Sequence, residues 1–407
     1  FVGFIILQTG CARPSQDTPA AMGRENGSAE AVRLTPANVD ASEPDTVTDA
    51  KGNIFVVYAE HLDGRTADIK LLKLGAKGKT VGEAVRVNTD PGDAKVWAGD
   101  PPRVVVRDQT VYIGWTRKPR DPAASGTDLV LSVSRDSGAT FEPPVRVNDD
   151  VEPASHGMHS LAVDEDGNVI MLWLDERSLV GRSATNAGSH EMAEPNAEAY
   201  YAVSKDGGKS FGRNVKLAAD VCPCCKTSVM IDRDGAIYAS WRQVLEGDHR
   251  HIAVARSDDG ADTFNKLVIV SDDKWQISAC PVSGAALLSP QPGTLDVLWY
   301  TAGDAGQAGL YFARSTDKGS SFGPRILLSN EARAGTPSAG VEGGREIVVF
   351  PAAEGRINVV SWNGSPVAQT NRSTVPHALL PSVIAFDEGS RIVFVRTIDS
   401  KRSVWMQ

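Results

Sequence analysis

The chain has 407 residues, and its 42 Lys and Arg against 51 Asp and Glu give a formal net charge of −9 at pH 7. An acidic chain without a basic run is a poor partner for nucleic acid, because phosphate contacts dominate that kind of binding. Hydrophobic residues make up 41% of the chain, and its 38 Gly and 23 Pro indicate many turns. The composition therefore favours a turn-rich globular protein that does not bind nucleic acid.

The amino-terminal segment indicates export. Residues 1–7, FVGFIIL, are apolar, and small residues precede Cys11. We interpret residues 1–11 as part of a lipoprotein signal whose lipobox-like Cys11 carries a lipid anchor, the only expected contact with a membrane. The alternative is a plain secretory signal that is removed together with Cys11. Either reading predicts a protein of the periplasm or the cell surface, where disulfides persist.

The rest of the chain predicts one domain behind a short tether. Residues 12–30 are mostly small and polar, a composition typical of a flexible linker. We expect a single folded domain over residues 31–407.

A short pattern recurs four times in this domain, with the frame Ser-x-Asp-x-Gly-x-Ser/Thr-Phe. The copies are SRDSGATF (134–141), SKDGGKSF (204–211), SDDGADTF (257–264) and STDKGSSF (315–322). An Asp side chain holds a turn by bonding to nearby backbone N–H groups, and Gly accepts a positive φ. Each copy therefore predicts a β-hairpin. We expect the closing Phe to pack against the same sheet, or blade, to which its hairpin belongs. Ala261 replaces the Gly in the third copy, so we expect that turn to differ.

This frame resembles the Asp-box, or BNR repeat, of the sialidase-like β-propellers. The resemblance covers most of the chain and implies a propeller fold. Asp-boxes occur in propellers of many functions, so the repeat indicates architecture more strongly than activity.

Seven β-rich runs accompany the Asp-boxes, each after a turn and several ending in Trp. They are 49–60, 107–117, 164–176, 232–242, 292–301, 343–352 and 387–396. Short strands in repeats of about 50 residues predict an all-β fold, a β-propeller of four-stranded blades. Seven runs favour seven blades, and six, the number in the sialidase family, stays open. A strand near residues 31–34 could pair with the last blade and close the ring.

The two faces of a propeller separate structural from functional residues. The four strands of a blade are lettered A to D from the central channel outward, and consecutive strands are antiparallel. The C–D hairpins that carry the Asp-boxes therefore share one face, which we expect to be structural. The B–C loops and D–A crossovers share the other face, where we expect the ligand. Candidate ligand-binding residues on that face are Arg117, His156, His159 and Trp275.

Four cysteines lie in two neighbouring crossovers: Cys222, Cys224 and Cys225 in one, Cys280 in the next. We expect them to converge on the same face. Two disulfides, such as Cys222–Cys225 and Cys224–Cys280, are the favoured interpretation in an oxidising compartment. A thiolate site for Cu or Zn is one alternative, and a redox-active Cys222 and Cys225 pair is another.

The resemblance also implies a chemistry. Sialidases clamp the sugar carboxylate with three Arg and use a Tyr–Glu nucleophile with an Asp as acid/base. In the family an Arg-Ile-Pro motif carries the first Arg, and this chain lacks that motif. Candidates for the catalytic roles, chosen by position, are Asp175, Glu176, Arg177, Arg242 and Tyr300.

Together these patterns predict an exported propeller whose ligand face binds a glycan or another small molecule. If it is an enzyme, the resemblance implies a glycoside hydrolase of sialidase type. A metal-binding or redox protein that uses the cysteine cluster and a non-catalytic binding scaffold are the alternatives.

Overall fold

The computed structural model describes residues 30–64, 66–119, 125–151, 153–181, 195–277, 280–365, 371–386 and 389–407. From Ala31 to Gln407 the chain forms one compact unit. The predicted anchor at Cys11 and nearly all of the predicted tether lie outside the described residues. No helix in the described ranges has the length and apolar character needed to cross a membrane.

Apart from three short 3-10 helices, the regular structure of these residues consists of β-strands. The strands in chain order are β1 (Val32–Arg33), β2 (Asp40–Thr48), β3 (Ile54–Asp63), β4 (Thr66–Leu74), β5 (Val85–Arg86), β6 (Arg103–Arg107), β7 (Thr110–Arg117), β8 (Asp128–Ser134), β9 (Val145–Arg146), β10 (His156–Val163), β11 (Val169–Asp175), β12 (Ala197–Ser204), β13 (Val215–Val221), β14 (Ser228–Ile231), β15 (Ile237–Leu245), β16 (His249–Ser257), β17 (Val268–Ile269), β18 (Ala285–Leu288), β19 (Leu295–Thr301), β20 (Gly309–Ser315), β21 (Ile326–Ser329), β22 (Ser338–Glu342), β23 (Arg345–Ala352), β24 (Arg356–Trp362), β25 (Asn371–Val375), β26 (Leu379–Phe386), β27 (Gly389–Ile398) and β28 (Lys401–Met406). The 3-10 helices are Arg177–Leu179, Glu246–Asp248 and Ala353–Gly355.

The strands pair in antiparallel groups of four. The groups are β2–β5, β6–β9, β10–β13, β14–β17, β18–β21, β22–β25, and β26–β28 with β1. Pairing of Val221 with Gln243 joins the third and fourth groups into one larger sheet. The predicted all-β fold of four-stranded sheets is thus confirmed. The predicted closing strand is also present, because β1 pairs with β28 through Val32 and Met406.

The core lies between neighbouring groups of strands. The B strands contribute fully buried tryptophans near their ends, among them Trp115, Trp173, Trp241 and Trp299. Burial of a large apolar side chain contributes about 1.5–3 kcal/mol, so these residues help to fix each sheet against its neighbour. The recurring Trp of the sequence runs is therefore a packing residue.

The Asp-boxes form the predicted C–D hairpins, with the same contacts in all four copies. In the first, the Ser134 hydroxyl donates to Oδ1 of Asp136 (2.7 Å), and the Gly138 N–H donates to the Ser134 hydroxyl (2.8 Å). The Thr140 N–H also donates to Oδ1 of Asp136 (2.9 Å). The equivalent acidic residues are Asp206, Asp259 and Asp317. Each carboxylate therefore closes its own turn, as the sequence predicts.

The third Asp-box corrects one expectation. Ala261 adopts a φ of 68°, close to the 87° of Gly138, and its N–H donates to the Ser257 hydroxyl at 3.0 Å. The turn is therefore the same as in the other copies. Ala261 therefore adopts a backbone conformation in the left-handed region, which favours glycine.

The closing Phe side chains correct the expectation that each of them packs only against its own blade. The Phe264 ring meets the ring of Tyr201 edge-on, with centroids 5.1 Å apart. Tyr201 belongs to β12 of the preceding group, whereas Phe264 follows β16. The Phe thus packs against the neighbouring blade and not only against its own, because the side chain of a C–D hairpin reaches across the interface between sheets.

Candidate functional site

A cavity of about 500 Å³ opens on the face formed by the crossovers between groups. Its wall includes residues of β2, the segment before β6, the crossover before β14 and the beginning of β26. The charged residues in this wall are Glu43, Asp45, Arg103, Lys226 and Arg402. Both signs of charge therefore face the same space, on the face that the sequence assigns to the ligand.

Glu43 enters this wall through a break in the β2–β3 ladder. The pairing register shifts between Ser42 and Asp45, and Glu43 has a φ of 53° immediately before Pro44. Such a backbone costs about 1–3 kcal/mol and is typical of functional sites. The buried carboxylate accepts from His61 Nε2 at 2.6 Å and lies 3.5 Å from Arg402 Nη1. The bulge thus turns an acidic side chain toward the cavity and holds it there.

Asp45 and Arg103 connect two neighbouring groups of strands beside Glu43. The N–H of Val104 donates to Oδ2 of Asp45 at 3.2 Å, and Arg103 Nη1 lies 3.5 Å from Oδ1. The Ser382 hydroxyl donates to the same Oδ1 at 3.4 Å. Asp45 therefore orients a guanidinium along the cavity wall while its carboxylate remains partly exposed there.

Lys226 is the most unusual of the five charged residues. It is 7% exposed, lines the cavity, and its ammonium makes no hydrogen bond or ion pair with the described residues. Burial lowers the pKa of Lys226 well below its usual value, and Arg103 adds repulsion, while the Asp100 and Asp45 carboxylates oppose the shift. A buried ammonium without a hydrogen-bonded partner is costly, so its position in a cavity wall points to an anion.

A buried pair of His159 and Asp100 interacts electrostatically with Lys226 through the Asp100 carboxylate. His159 Nδ1 lies 2.8 Å from Oδ1 of Asp100, and its Nε2 lies 3.1 Å from the Gly114 carbonyl oxygen. The Thr116 hydroxyl donates to Oδ2 of Asp100 at 3.1 Å. Both ring nitrogens face acceptors, and the imidazole donates to both only when it is doubly protonated. Although burial raises it, the pKa of Asp100 is lowered by the charge and hydrogen bonds of His159.

The other predicted ligand-binding residues are buried away from the cavity wall. His156 Nε2 lies 3.1 Å from Oδ1 of Asp150 and 3.5 Å from Oδ2 of Asp175, and these carboxylates raise the pKa of His156 against the effect of burial. Arg117 lies 3.7 Å from Asp128. Trp275 is buried against other side chains. Of the four predicted positions, none lines the cavity. His159 pairs with Asp100, whose carboxylate acts electrostatically on Lys226 in the cavity wall.

The predicted catalytic residues do not line the cavity either, and they fall into two sets. In the first, Asp175 accepts from the Trp173 indole N–H at 2.8 Å and pairs with Arg177 at 2.8 Å. Arg177 also stacks on the ring of Tyr200, while Glu176 donates its N–H to the Ser155 carbonyl.

The second set lies in the next two groups of strands, with Arg242 in β15 and Tyr300 in β19. Arg242 is fully buried and donates to three backbone carbonyl oxygens, and its guanidinium lies over the ring of Trp275. Tyr300 meets the same ring edge-on at 5.8 Å between centroids. Among the described residues the cavity wall holds two arginines, Arg103 and Arg402. The catalytic roles proposed from sequence position stay predictions.

The cysteine cluster corrects the disulfide interpretation. No disulfide joins the cysteines of the described ranges. Cys222 Sγ lies 2.8 Å from Cys225 Sγ, whereas an S–S bond measures about 2.05 Å. Cys222, Cys224 and Cys225 are buried together, but the exposed Cys280 is not part of this group. The three cysteines of one crossover therefore lie together, and the expected convergence with Cys280 of the next crossover is not found among the described residues.

Sequence reasoning missed Lys226, Glu43 and Asp45, whereas Arg103 stands in Pro102-Arg103-Val104, the nearest sequence to the absent Arg-Ile-Pro motif. The only local signal at Lys226 is its position directly after the cysteines of a crossover. For Glu43 and Asp45 a signal existed in the Glu-Pro-Asp sequence, because a proline inside a strand indicates an edge or a bulge.

Comparison with known proteins supports the fold. No protein-family model matches the chain, and no curated protein sequence matches it. A protein of unknown function from Dyadobacter fermentans DSM 18053 superposes with a TM-score of 0.51 and 14% identity, over 93% of this chain and 98% of that chain. The NanB sialidase from Streptococcus pneumoniae superposes with a TM-score of 0.51 and 9% identity, over 87% and 83%. The Trypanosoma rangeli sialidase in complex with sialic acid gives 0.50 and 13%, over 92% and 59%. At these identities the comparisons show the fold alone, a sialidase-like β-propeller.

Proposed function

We propose that the cavity binds an acidic glycan, with Lys226 as the main contact for the carboxylate of the sugar. The observation that carries this proposal is the buried ammonium of Lys226 in a cavity wall, which makes no hydrogen bond or ion pair with the described residues. A ligand anion would supply the counter-charge that the described residues do not place in hydrogen-bond contact with it. Charge-assisted hydrogen bonds of this kind are roughly twice as strong as neutral ones.

The rest of the wall suits a sugar. A volume of about 500 Å³ falls within the range of small-molecule sites, about 300–1,000 Å³. Glu43 and Asp45 offer acceptors for hydroxyl groups, and Arg103 offers a second cationic donor. Trp97, which is 48% exposed, can stack on the apolar face of a sugar ring at the rim. The structural similarity to a sialidase that was solved with sialic acid supports an acidic sugar as the first ligand to test.

Export is part of the same proposal. The apolar residues before Cys11 support a signal sequence with a lipid anchor, which would present the cavity to glycans outside the cytoplasm. Hydrolysis of a glycoside is a further step, which Asp45 or Glu43 could serve as carboxylates beside the bound sugar.

Calorimetric titration would test the binding proposal. We expect the wild-type protein to bind sialic acid or a uronic acid and to bind N-acetylglucosamine or galactose more weakly. Lys226→Met should weaken the acidic ligand about 10- to 100-fold, because a hydrogen bond between charged groups contributes about 1.5–3 kcal/mol. Lys216→Met is the matched control, since Lys216 is exposed and pairs with Glu198 away from the cavity.

Equal affinity for acidic and neutral sugars, or an unchanged affinity in Lys226→Met, would contradict the proposal. A fluorogenic sialoside tests hydrolysis separately, because cleavage of its glycosidic bond releases a fluorophore. Turnover that disappears in Asp45→Asn while binding persists would add a catalytic role to this site.

A further inference from the structure

Three sulfur atoms converge in the crossover between β13 and β14. The sulfur atoms of Cys222, Cys224 and Cys225 all lie within 4.8 Å of one another. Cys222 Sγ is 4.0 Å from Cys224 Sγ and 2.8 Å from Cys225 Sγ. The Cys225 N–H donates to the Cys222 carbonyl oxygen at 3.3 Å, which closes a tight turn around the sulfurs. All three residues are buried, so the turn directs three soft donors toward one enclosed point.

Two guanidinium groups lie beside this cluster. Arg250 Nη1 is 3.7 Å from Cys222 Sγ, and the charge of Arg242 acts on the same thiol. Arg242 is fully buried and makes hydrogen bonds only to carbonyl oxygens, with no ion pair to a carboxylate of the described residues. A buried cation without a counter-charge is unstable, since the desolvation penalty amounts to several kcal/mol. Thiolates at the cluster would supply the missing negative charge.

We propose that Cys222, Cys224 and Cys225 bind one copper(I) ion through three thiolates. Soft thiolates select copper(I), zinc(II) and iron–sulfur clusters among biological metals. Structural zinc sites are almost always four-coordinate, and among the described residues the group contains only three donors. Copper(I) accepts three thiolates. The complex then carries two negative charges. Arg242 balances one of them, and Arg250, which also pairs with Asp248 at 3.2 Å, lies beside the sulfurs.

One of the two sulfur separations fits this site directly, and the other fits it only after the sulfurs move apart. Metal–thiolate bonds of about 2.3 Å place the sulfurs of a trigonal site roughly 4 Å apart. The Cys222–Cys224 separation already has this value, and the Cys222–Cys225 separation would open by about 1 Å on binding. A Cys222–Cys225 disulfide would instead remove two thiolates and leave Arg242 with less counter-charge.

Anaerobic loading of the full chain with copper(I), followed by desalting and elemental analysis, tests the proposal. We expect about one copper per chain, and X-ray absorption of the loaded wild-type protein should show three sulfur neighbours at about 2.3 Å. Cys224→Ser should lose about 100-fold in affinity when a chromophoric copper(I) chelator competes. Cys280→Ser is the matched control and should retain copper fully, because Cys280 lies outside the group.

The X-ray absorption measurement uses the wild-type chain, so it decides the coordination even if a cysteine variant folds poorly. Retention of less than about one copper in ten chains would overturn the proposal. Loss of copper in Cys280→Ser would overturn the assignment to three cysteines. Displacement of copper(I) by an equal amount of zinc(II) would overturn the choice of metal. None of these outcomes depends on sugar binding at Lys226.

Discussion

His159 Nδ1 lies 2.8 Å from Asp100 Oδ1 in a buried pair, and the Asp100 carboxylate acts electrostatically on the ammonium of Lys226. The pair joins two neighbouring groups of strands, since Asp100 precedes β6 and His159 belongs to β10. The carboxylate that is neutralised by His159 is also the one that most favours the charged form of Lys226. The buried pair therefore links the packing of two blades to the electrostatics of the cavity.

Removing one partner of this pair should destabilise the protein strongly. His159→Ala leaves the Asp100 carboxylate buried without its counter-charge, and the loss expected from such a change is about 3–5 kcal/mol in the free energy of unfolding. Urea denaturation would measure it. His249→Ala, at a half-buried histidine outside this pair, should change the free energy by less than about 1 kcal/mol. Addition of Asp100→Ala to His159→Ala should recover part of the loss, and strict additivity would contradict the pairing.

The Asp-boxes predict an acid-dependent contribution to stability. Hydrogen bonds from the Thr140 hydroxyl and N–H, and then from Ser134, lower the pKa of Asp136 to about 2. A carboxyl with a depressed pKa in the folded state stabilises the protein above its unfolded pKa near 3.8 and loses that contribution as the pH falls to about 2.

Asp136→Asn should therefore be less stable than the wild type at neutral pH, and the difference should shrink between about pH 4 and pH 2. Chemical denaturation at several pH values would follow it. Asp304→Asn, at an exposed aspartate outside the Asp-boxes, is the control and should show no such convergence. A constant difference at every pH would mean that the carboxylate charge does not hold the turn.

Exchange of glycine and alanine should have different effects on stability at equivalent positions of the second and third Asp-boxes. Gly208 has a φ of 89°, and a Cβ there would meet Val133 Cγ2 at 2.8 Å. Gly208→Ala should therefore destabilise the protein by about 1–3 kcal/mol. Ala261→Gly relieves a strained backbone but removes a buried methyl group worth about 0.8 kcal/mol, so it should change stability by less than about 1 kcal/mol. Thermal and urea unfolding would compare the two; equal losses would show that Ala261 is not strained.

The sequence predicts local features well because hydrogen bonds within eight residues decide them. Ser134 and Asp136 close their hairpin with neighbours in the chain, so the repeat alone identifies the C–D turns. The cavity depends on contacts between distant segments, for example Asp45 with Arg103 and Ser382. No spacing in the sequence indicates such contacts. Arg242 illustrates the limit, because the sequence places it at the end of its strand, whereas β15 continues to Leu245. Its side chain turns under the neighbouring crossover to reach the Ser283 carbonyl.

Binding of an acidic sugar should depend on pH through Lys226. Burial lowers the pKa of this ammonium well below its ordinary value, so it loses its proton at a lower pH than an exposed lysine does. An anion pairs only with the protonated form, so affinity should be highest at low pH and fall as the pH rises through the lowered pKa. Calorimetry over roughly pH 5 to 10 would measure the affinity. The decline should occur at a lower pH than the titration of ordinary lysines, whose pKa is about 10.4.

Lys226→Arg separates this effect from other titrations. A guanidinium stays protonated over the whole interval, so the decline should flatten in the variant even if its affinity differs from that of the wild type. Lys216→Arg, at the exposed control position, should keep the wild-type profile. A decline of equal slope in Lys226→Arg would assign the pH dependence to another group in the wall and would remove Lys226 as the contact for the carboxylate.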